Sequence, residues 1–264
     1  MGNAFKLTCF GGVGAVTGAN FLLEANGKKI LIDCGLRQGD RFSESENYEK
    51  FAYDVKAVDA LFVTHAHMDH IGRIPKLVRD GFGGAIYSTR ETKLLAEVMF
   101  GDALGLLKRE AKERGVPVIY EQQDVEKALS LWQEIFYRVD KELGNGVSVY
   151  LKDAGHILGS AMVEVRLSGK KMLFTGDLGN SPAPLLEDTE SPEGVEYLLM
   201  ESVYGDRNHE TKEERVNRFA KILKDTISRG GAVVIPAFSL ERTQNILYTI
   251  KNLIEDELVP SIPV

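Results

Sequence analysis

The stretch Asp59-Ala60-Leu61-Phe62-Val63-Thr64-His65-Ala66-His67-Met68-Asp69-His70 decides how this chain is read. Its first half is a short apolar run, which predicts a buried β-strand ending at the histidines. Its second half places three of the chain's five histidines and one carboxylate side by side. His65 and His67 are two apart, so on extended chain both rings point the same way. Neutral imidazole and carboxylate are the usual ligands of catalytic zinc. Loops at strand ends are also where a rigid scaffold presents functional groups. The plain alternative is a polar loop with histidines by coincidence. For a single histidine that reading would win. For three with an aspartate in this register, in a chain otherwise poor in histidine, metal binding is the better reading.

Working outward, the N-terminal part reads as strands joined by glycine turns. Strands are predicted at Phe5 to Phe10, Phe21 to Glu24 and Lys29 to Asp33, the last two joined at Asn26-Gly27, a strong hairpin signal. Asp59 to Thr64 and Gly84 to Ser88 are further short β runs. Helical spacing of apolar residues predicts helices over Glu91 to Arg114 and Asp124 to Phe136. Strand patterns return at Val147 to Leu151, Met162 to Leu167, Lys171 to Phe174 and Val195 to Met200, with Ser168-Gly169 as a turn. From Glu210 onward the pattern is helix (Lys212 to Ser228), strand (Ala232 to Ile235) and helix (Glu241 to Leu258). Thr211-Lys212-Glu213-Glu214 resembles a capping box, with the glutamate read as one residue short of the preferred spacing. A βα alternation beginning this late predicts a second module.

Composition bounds the function. A chain of 264 residues can bury a full core. Its 44% hydrophobic and 27% charged residues are ordinary for a globular protein. A net charge of −7 argues against loose, nonspecific nucleic-acid binding, though not against a local basic groove. Lys108, Arg109, Lys112 and Arg114 cluster on the long predicted helix, and a solvated helical face is the favoured reading there. No apolar run is long enough for a membrane span, and Met1 to Leu7 lacks the features of a signal peptide. Gly2 alone hints at myristoylation, but Lys6 stands where that motif needs Ser or Thr. A cytoplasmic location without membrane attachment is therefore expected. Cys9 and Cys34 have no C-x-x-C spacing and read as small core residues of the first two strands.

His65-x-His67-x-Asp69-His70 after an apolar strand resembles the signature of the metallo-β-lactamase superfamily. Asp33, closing Ile30-Leu31-Ile32, resembles that family's first acidic motif. His156 in Ala154-Gly155-His156-Ile157-Leu158-Gly159-Ser160-Ala161 resembles its third histidine motif, and Asp177 in Phe174-Thr175-Gly176-Asp177-Leu178-Gly179 its bridging aspartate. The resemblance implies an α/β protein with the αββα sandwich of that family. It implies two zinc ions: His65, His67 and His156 on the first, Asp69 and His70 on the second, and Asp177 bridging both. Asp33 would orient ligands or the bridging water from behind. Alone, Asp33 and Asp177 would read as turn residues beside Gly35 and Gly176, and His156 as a buried structural histidine.

Met200-Glu201-Ser202-Val203-Tyr204-Gly205-Asp206-Arg207 resembles the first motif of the β-CASP branch, the RNA-processing nucleases of that superfamily. Pro236-Ala237-Phe238-Ser239-Leu240-Glu241-Arg242-Thr243-Gln244 resembles a later segment of that branch, with Glu241 where glycine is expected and, earlier, Val203 where Thr is usual. The expected arrangement is a metallo-β-lactamase domain over 1–208 and the start of an α/β β-CASP domain over 209–264. The implied activity is hydrolysis of RNA phosphodiester bonds through a metal-bridging hydroxide, in endonucleolytic RNA processing. Catalytic roles fall to Asp33, Asp69 and Glu201, the last paired with a later histidine that protonates the leaving oxygen. RNA contacts fall to Phe238, Arg242 and Gln244, which read equally as a core residue and a helix-start surface. RNA is the implied partner, with a homodimer or processing-complex subunits beside it. No histidine follows His209, so the family's last two are missing. The sequence reading therefore expects a chain cut inside the β-CASP module, with the second metal held poorly and activity in doubt. A small-molecule hydrolase of the same superfamily, of thioesterase or lactonase type, and an inactive scaffold remain as alternatives.

Overall fold

The computed structural model describes residues 5–39 and 44–264. Met1–Ala4, part of the segment read for targeting signals, lies outside them. Two compact units are present, Met1–Glu201 and Ser202–Val264. The division falls at Glu201, where the sequence reading places it at 208.

The first unit is built on two sheets. One has the order β1 (Phe5–Gly11), β2 (Asn20–Ala25), β3 (Lys28–Ile32), β4 (Ala60–Phe62), β5 (Ala85–Ser88) and β6 (Trp132–Glu134). Its first three strands are antiparallel and the rest parallel. The other has the order β11 (Tyr197–Leu199), β10 (Lys170–Phe174), β9 (Ala161–Leu167), β8 (Val147–Asp153) and β7 (Lys141–Gly144). Both predicted two-residue hairpins form. Asn26-Gly27 and Ser168-Gly169 take positive φ, as this tight turn requires, and put Ala25 opposite Lys28 and Leu167 opposite Lys170.

The sheets bury one core between them. Leu23, Ile30, Ile32 and Phe62 from the first pack with Val149, Val163, Val165 and Phe174 from the second. All residues of β4 are buried, which is why Ala60–Phe62 reads as a continuous apolar run rather than an alternation. Three-dimensional structure continues with α1 (Met68–Ile71), α2 (Ile74–Arg79), α3 (Arg90–Arg114) and α4 (Gln122–Ser130). Thr89 caps α3 at its start and Gly115, in the left-handed region, ends it. Lys108, Arg109, Lys112 and Arg114 are exposed on α3, and Lys108 and Arg114 pair with Glu121 and Glu44. They form a solvated face.

Four expectations are corrected, the last in the second unit's capping box below. The helix read over Asp124 to Phe136 ends at Ser130, and Trp132–Glu134 is a strand. Trp132 pairs with Ile86 and donates its indole N–H to Ser88 Oγ at 2.8 Å, so a distant partner overrides local periodicity. Cys34 is buried after β3, but Cys9 is exposed. β1 is an edge strand whose pairing shifts register beyond Cys9, leaving that side chain uncovered. Ala232 to Ile235 forms no strand among the described residues, and Val234 is 90% exposed. A strand needs a ladder partner.

The second unit holds α5 (Lys212–Ile227) and α6 (Arg242–Glu255) around Leu223, Ile250, Leu253 and Val259. The capping box at Thr211 is complete: Thr211 Oγ1 accepts from Glu214 N–H, and Glu214 accepts from Thr211 N–H. The glutamate therefore stands at the proper spacing, which corrects the sequence reading. Glu241, where glycine is expected, sits at φ 62°, with Arg242 N–H bonded to Leu240 O. That tight turn favours glycine. Among the described residues no helix is long and apolar enough to cross a membrane.

Candidate metal centre

Six of the candidate residues follow strand ends. Asp33 follows β3, His65 and His67 follow β4, His156 follows β8, Asp177 follows β10 and Glu201 follows β11. The segment after β3 is locked to the histidine run by backbone bonds, Cys34 N–H to His70 O at 2.7 Å and Leu36 N–H to Met68 O at 2.9 Å, and Ala19 N–H, just before β2, adds a bond to Asp69 O at 2.9 Å. Gly35 lies so close that a Cβ there would be 1.5 Å from Asp69 O. Only glycine permits that approach.

One group gathers His65, His67, His156 and Asp177, each offering an atom within 4.8 Å of the others. His67 Nδ1 lies 3.1 Å from His65 Nε2 and 3.2 Å from His156 Nε2. Asp177 Oδ2 lies 3.7 Å from His65 Nε2 and 3.6 Å from His156 Nε2. Zinc bonds of roughly 2.0–2.1 Å in a tetrahedron put neighbouring donors about 3.3 Å apart. The spacings fit such an ion, and the donor set of three imidazoles and a carboxylate suits zinc.

A second group shares Asp177. Its Oδ1 lies 3.3 Å from His70 Nε2, and Asp69 Oδ2 lies 3.8 Å from the same nitrogen. His70 Nδ1 meets Asp33 Oδ2 at 2.7 Å, which leaves Nε2 facing the two carboxylates. Asp33 is 1% exposed, and it also accepts from Thr64 N–H at 2.8 Å and Thr64 Oγ1 at 2.7 Å. The Thr64 hydroxyl in turn lies 3.1 Å from His65 Nδ1, so His65 presents Nε2 to the first group. Carboxylates and hydroxyls behind a ligating histidine fix its orientation in this way.

Electrostatics differ between the groups. Burial pushes His65 far below the usual histidine range, helped by the neighbouring rings. Burial likewise lowers His67, and lowers His156 to about 4 against the pull of Asp177. These rings are neutral at pH 7 and keep a free lone pair. Burial opposes charge on His70 too, but Asp33 and Asp177 outweigh it and raise that ring well above its usual range. Burial raises Asp69, while His70 holds Asp177 low despite burial.

Glu201 Oε1 accepts from Leu178 N–H at 3.0 Å, one residue past Asp177, and Glu201 N–H bonds Thr175 Oγ1 at 3.1 Å. It is tied to the loop that carries Asp177. Phe238, Arg242 and Gln244 lie in the second unit, all exposed. Gln244 bonds Ser239 O at 3.1 Å. His209 is exposed and packs on Tyr204, its ring 4.3 Å away. Thr64 is a residue beside the ligands that sequence reasoning missed. Its only signal is a hydroxyl at a buried strand end, directly before the first histidine.

The chain is 40% identical to "Ribonuclease TTHA0252" of Thermus thermophilus over 93% of its length and 54% of that protein. It is 31% identical to "Cleavage and polyadenylation specificity factor 73" of Drosophila melanogaster, over 86% of this chain and 32% of that one. It is 30% identical to "Transcription termination factor FttA" of Methanosarcina mazei, over 98% and 41%. The chain thus spans about half or less of the length of these relatives. The family description "Metallo-beta-lactamase superfamily" matches residues 13–231, and this chain belongs to the metallo-β-lactamase superfamily.

Proposed function

We propose that this protein is a zinc-dependent ribonuclease of the β-CASP branch, cutting RNA internally during RNA processing. One observation carries the reading: Asp177 offers one carboxylate oxygen to the His65–His67–His156 group and the other to His70. That is the arrangement a two-ion site needs. The relative named as a ribonuclease directs it to RNA.

On this reading His65, His67, His156 and Asp177 hold the first zinc, and Asp69, His70 and Asp177 the second. Bound there, two zinc ions supply a water of lowered pKa and neutralise charge developing on a phosphoryl oxygen. The chain's own residues do the rest. Asp33 holds the His70 ring through Nδ1, and Thr64 holds His65. Glu201 fixes the backbone beside Asp177 and stands ready to orient a proton donor. Asp69, 19% exposed at its side chain, lies at the accessible edge where substrate would approach. Phe238, Arg242 and Gln244 are proposed RNA contacts, supported by their exposure. The second group offers one imidazole and two carboxylates, one of them shared, against three imidazoles and a carboxylate in the first, so it binds its ion more weakly.

The test is to incubate the zinc-loaded protein with RNA, and separately with thioester and lactone substrates. RNA cleavage lost in His67→Ala is expected. Hydrolysis of a thioester or lactone without RNA cleavage would replace this reading with a small-molecule hydrolase.

A further inference from the structure

The turn that carries His156, between Asp153 and Ala161, is fastened by hydroxyls from outside the histidine motifs. Thr89 Oγ1 and Thr92 Oγ1 both donate to the Gly159 carbonyl, at 2.7 and 2.8 Å. The Tyr137 hydroxyl donates to the next carbonyl, that of Ser160, at 2.8 Å. Within the turn, Ser160 Oγ accepts from His156 N–H at 3.0 Å and Ile157 N–H at 3.2 Å. The carbonyls at 159 and 160 are thus held from without, and the His156 backbone is held through Ser160.

The fit is close. Thr92 is fully buried. Gly159 sits at φ +81°, and a Cβ there would lie 2.7 Å from Thr92 N and 2.6 Å from Glu91 Cβ. The start of α3 therefore touches the turn directly. Burial raises the Tyr137 phenol, so it stays protonated and able to donate. Each carbonyl has a second donor, Thr89 Oγ1 on Gly159 O and Ala154 N–H on Ser160 O, so losing one hydroxyl removes one bond of two and loosens the turn without orphaning the carbonyl. Here movement would carry His156, whose Nε2 must stay near 3.2 Å from His67 Nδ1 to share an ion.

We infer that Thr92 and Tyr137 are positioning residues for His156, holding its turn where the imidazole meets the other donors of the first group. Thr89 shares the contact, but it also caps α3, so its loss would mix two effects. The inference rests on His156 being a metal ligand.

Cobalt(II) titration of the full chain, followed by visible absorption, tests it. Thr92→Val and Tyr137→Phe should each weaken binding at the first group by roughly two- to tenfold, the range of one lost hydrogen bond and at most the low end for partners behind metal ligands. Thr92→Ser, which keeps the hydroxyl, should bind as the unaltered protein does. In a His156→Ala background, Thr92→Val should have no further effect, because the two act as one unit. Unchanged affinity in Thr92→Val and Tyr137→Phe, with His156→Ala weakened, would overturn this inference alone. So would an equal loss from Thr92→Val with and without His156. Unchanged affinity in His156→Ala would overturn the ligand reading itself, and the inference with it. If Thr92→Val fails to fold, the same cycle is read with Tyr137→Phe.

Discussion

Asp177 Oδ1 lies 3.3 Å from His70 Nε2, while the other oxygen of the same carboxylate faces His65 and His156. One side chain from the second sheet thereby joins two ligand groups, each of which also takes histidines that follow β4 of the first sheet. Asp177→Ala should remove a donor from both, whereas His67→Ala removes one from the first only. Zinc titration by calorimetry should show both binding events weakened in Asp177→Ala. A variant that kept its weaker event intact would show that Asp177 does not bridge.

Asp33 and His70 form a buried pair at 2.7 Å. Removing one partner of such a pair costs about 3 kcal/mol. Asp33→Asn keeps the shape and tolerates the φ of 57° at this position. Urea unfolding of the metal-free protein should show that loss. A change below about 0.5 kcal/mol, within the range of an ordinary surface substitution, would mean the pair is not held as described.

The lowered His156 sets a pH dependence. Its folded value is about 4, against roughly 6.5 unfolded. Between those values the unfolded chain binds more protons, so stability rises with pH there. The contribution is present above about 6.5 and is lost as pH falls toward 4. His70 has the opposite sign: its contribution is full below the unfolded value and fades as pH rises through its raised folded value. Thermal melts of metal-free protein from pH 7 to pH 4.5 should therefore fall less steeply in His156→Gln. Parallel curves would contradict the shift.

Glu241 occupies a backbone conformation that favours glycine. Glu241→Gly should stabilise the second unit by about 1 kcal/mol, the scale of such strain, less the lost bond to Asn245 Nδ2. A lower midpoint for that unit in hydrogen exchange would show that the side-chain bond outweighs the strain.

The cysteines differ in access. Cys9 is exposed, and Cys34 is fully buried with its thiol pushed up to about 12 by burial. A thiol reagent at pH 8 should modify one cysteine quickly in the native protein and both only after denaturation. Rapid modification of both would contradict the packing around Cys34.

Much of the candidate site is legible in the sequence because metal donors are scarce residue types in tight register. Five histidines in the chain leave little room for coincidence at His65, His67 and His70. The strands next to them were legible because β4 is buried on both faces and the two hairpins carry turn residues with positive φ. What escaped was long-range. Trp132 joins a strand through Ser88, far off in sequence, so local periodicity read it as helix. Ala232 to Ile235 has the composition of a strand but no partner among the described residues. Thr64, Thr92 and Tyr137 act through hydroxyls, and threonine and tyrosine are too common for position alone to mark them. Their role depends on which carbonyl or carboxylate the fold brings near.

The most direct test is zinc retained per chain after exhaustive dialysis, measured by elemental analysis for the unaltered protein and His67→Ala. The account predicts about one tightly held zinc, a weaker second site that empties, and near-complete loss in His67→Ala. Two zinc ions held equally tightly would contradict the account of the second group. Retention unchanged in His67→Ala would contradict the metal centre itself.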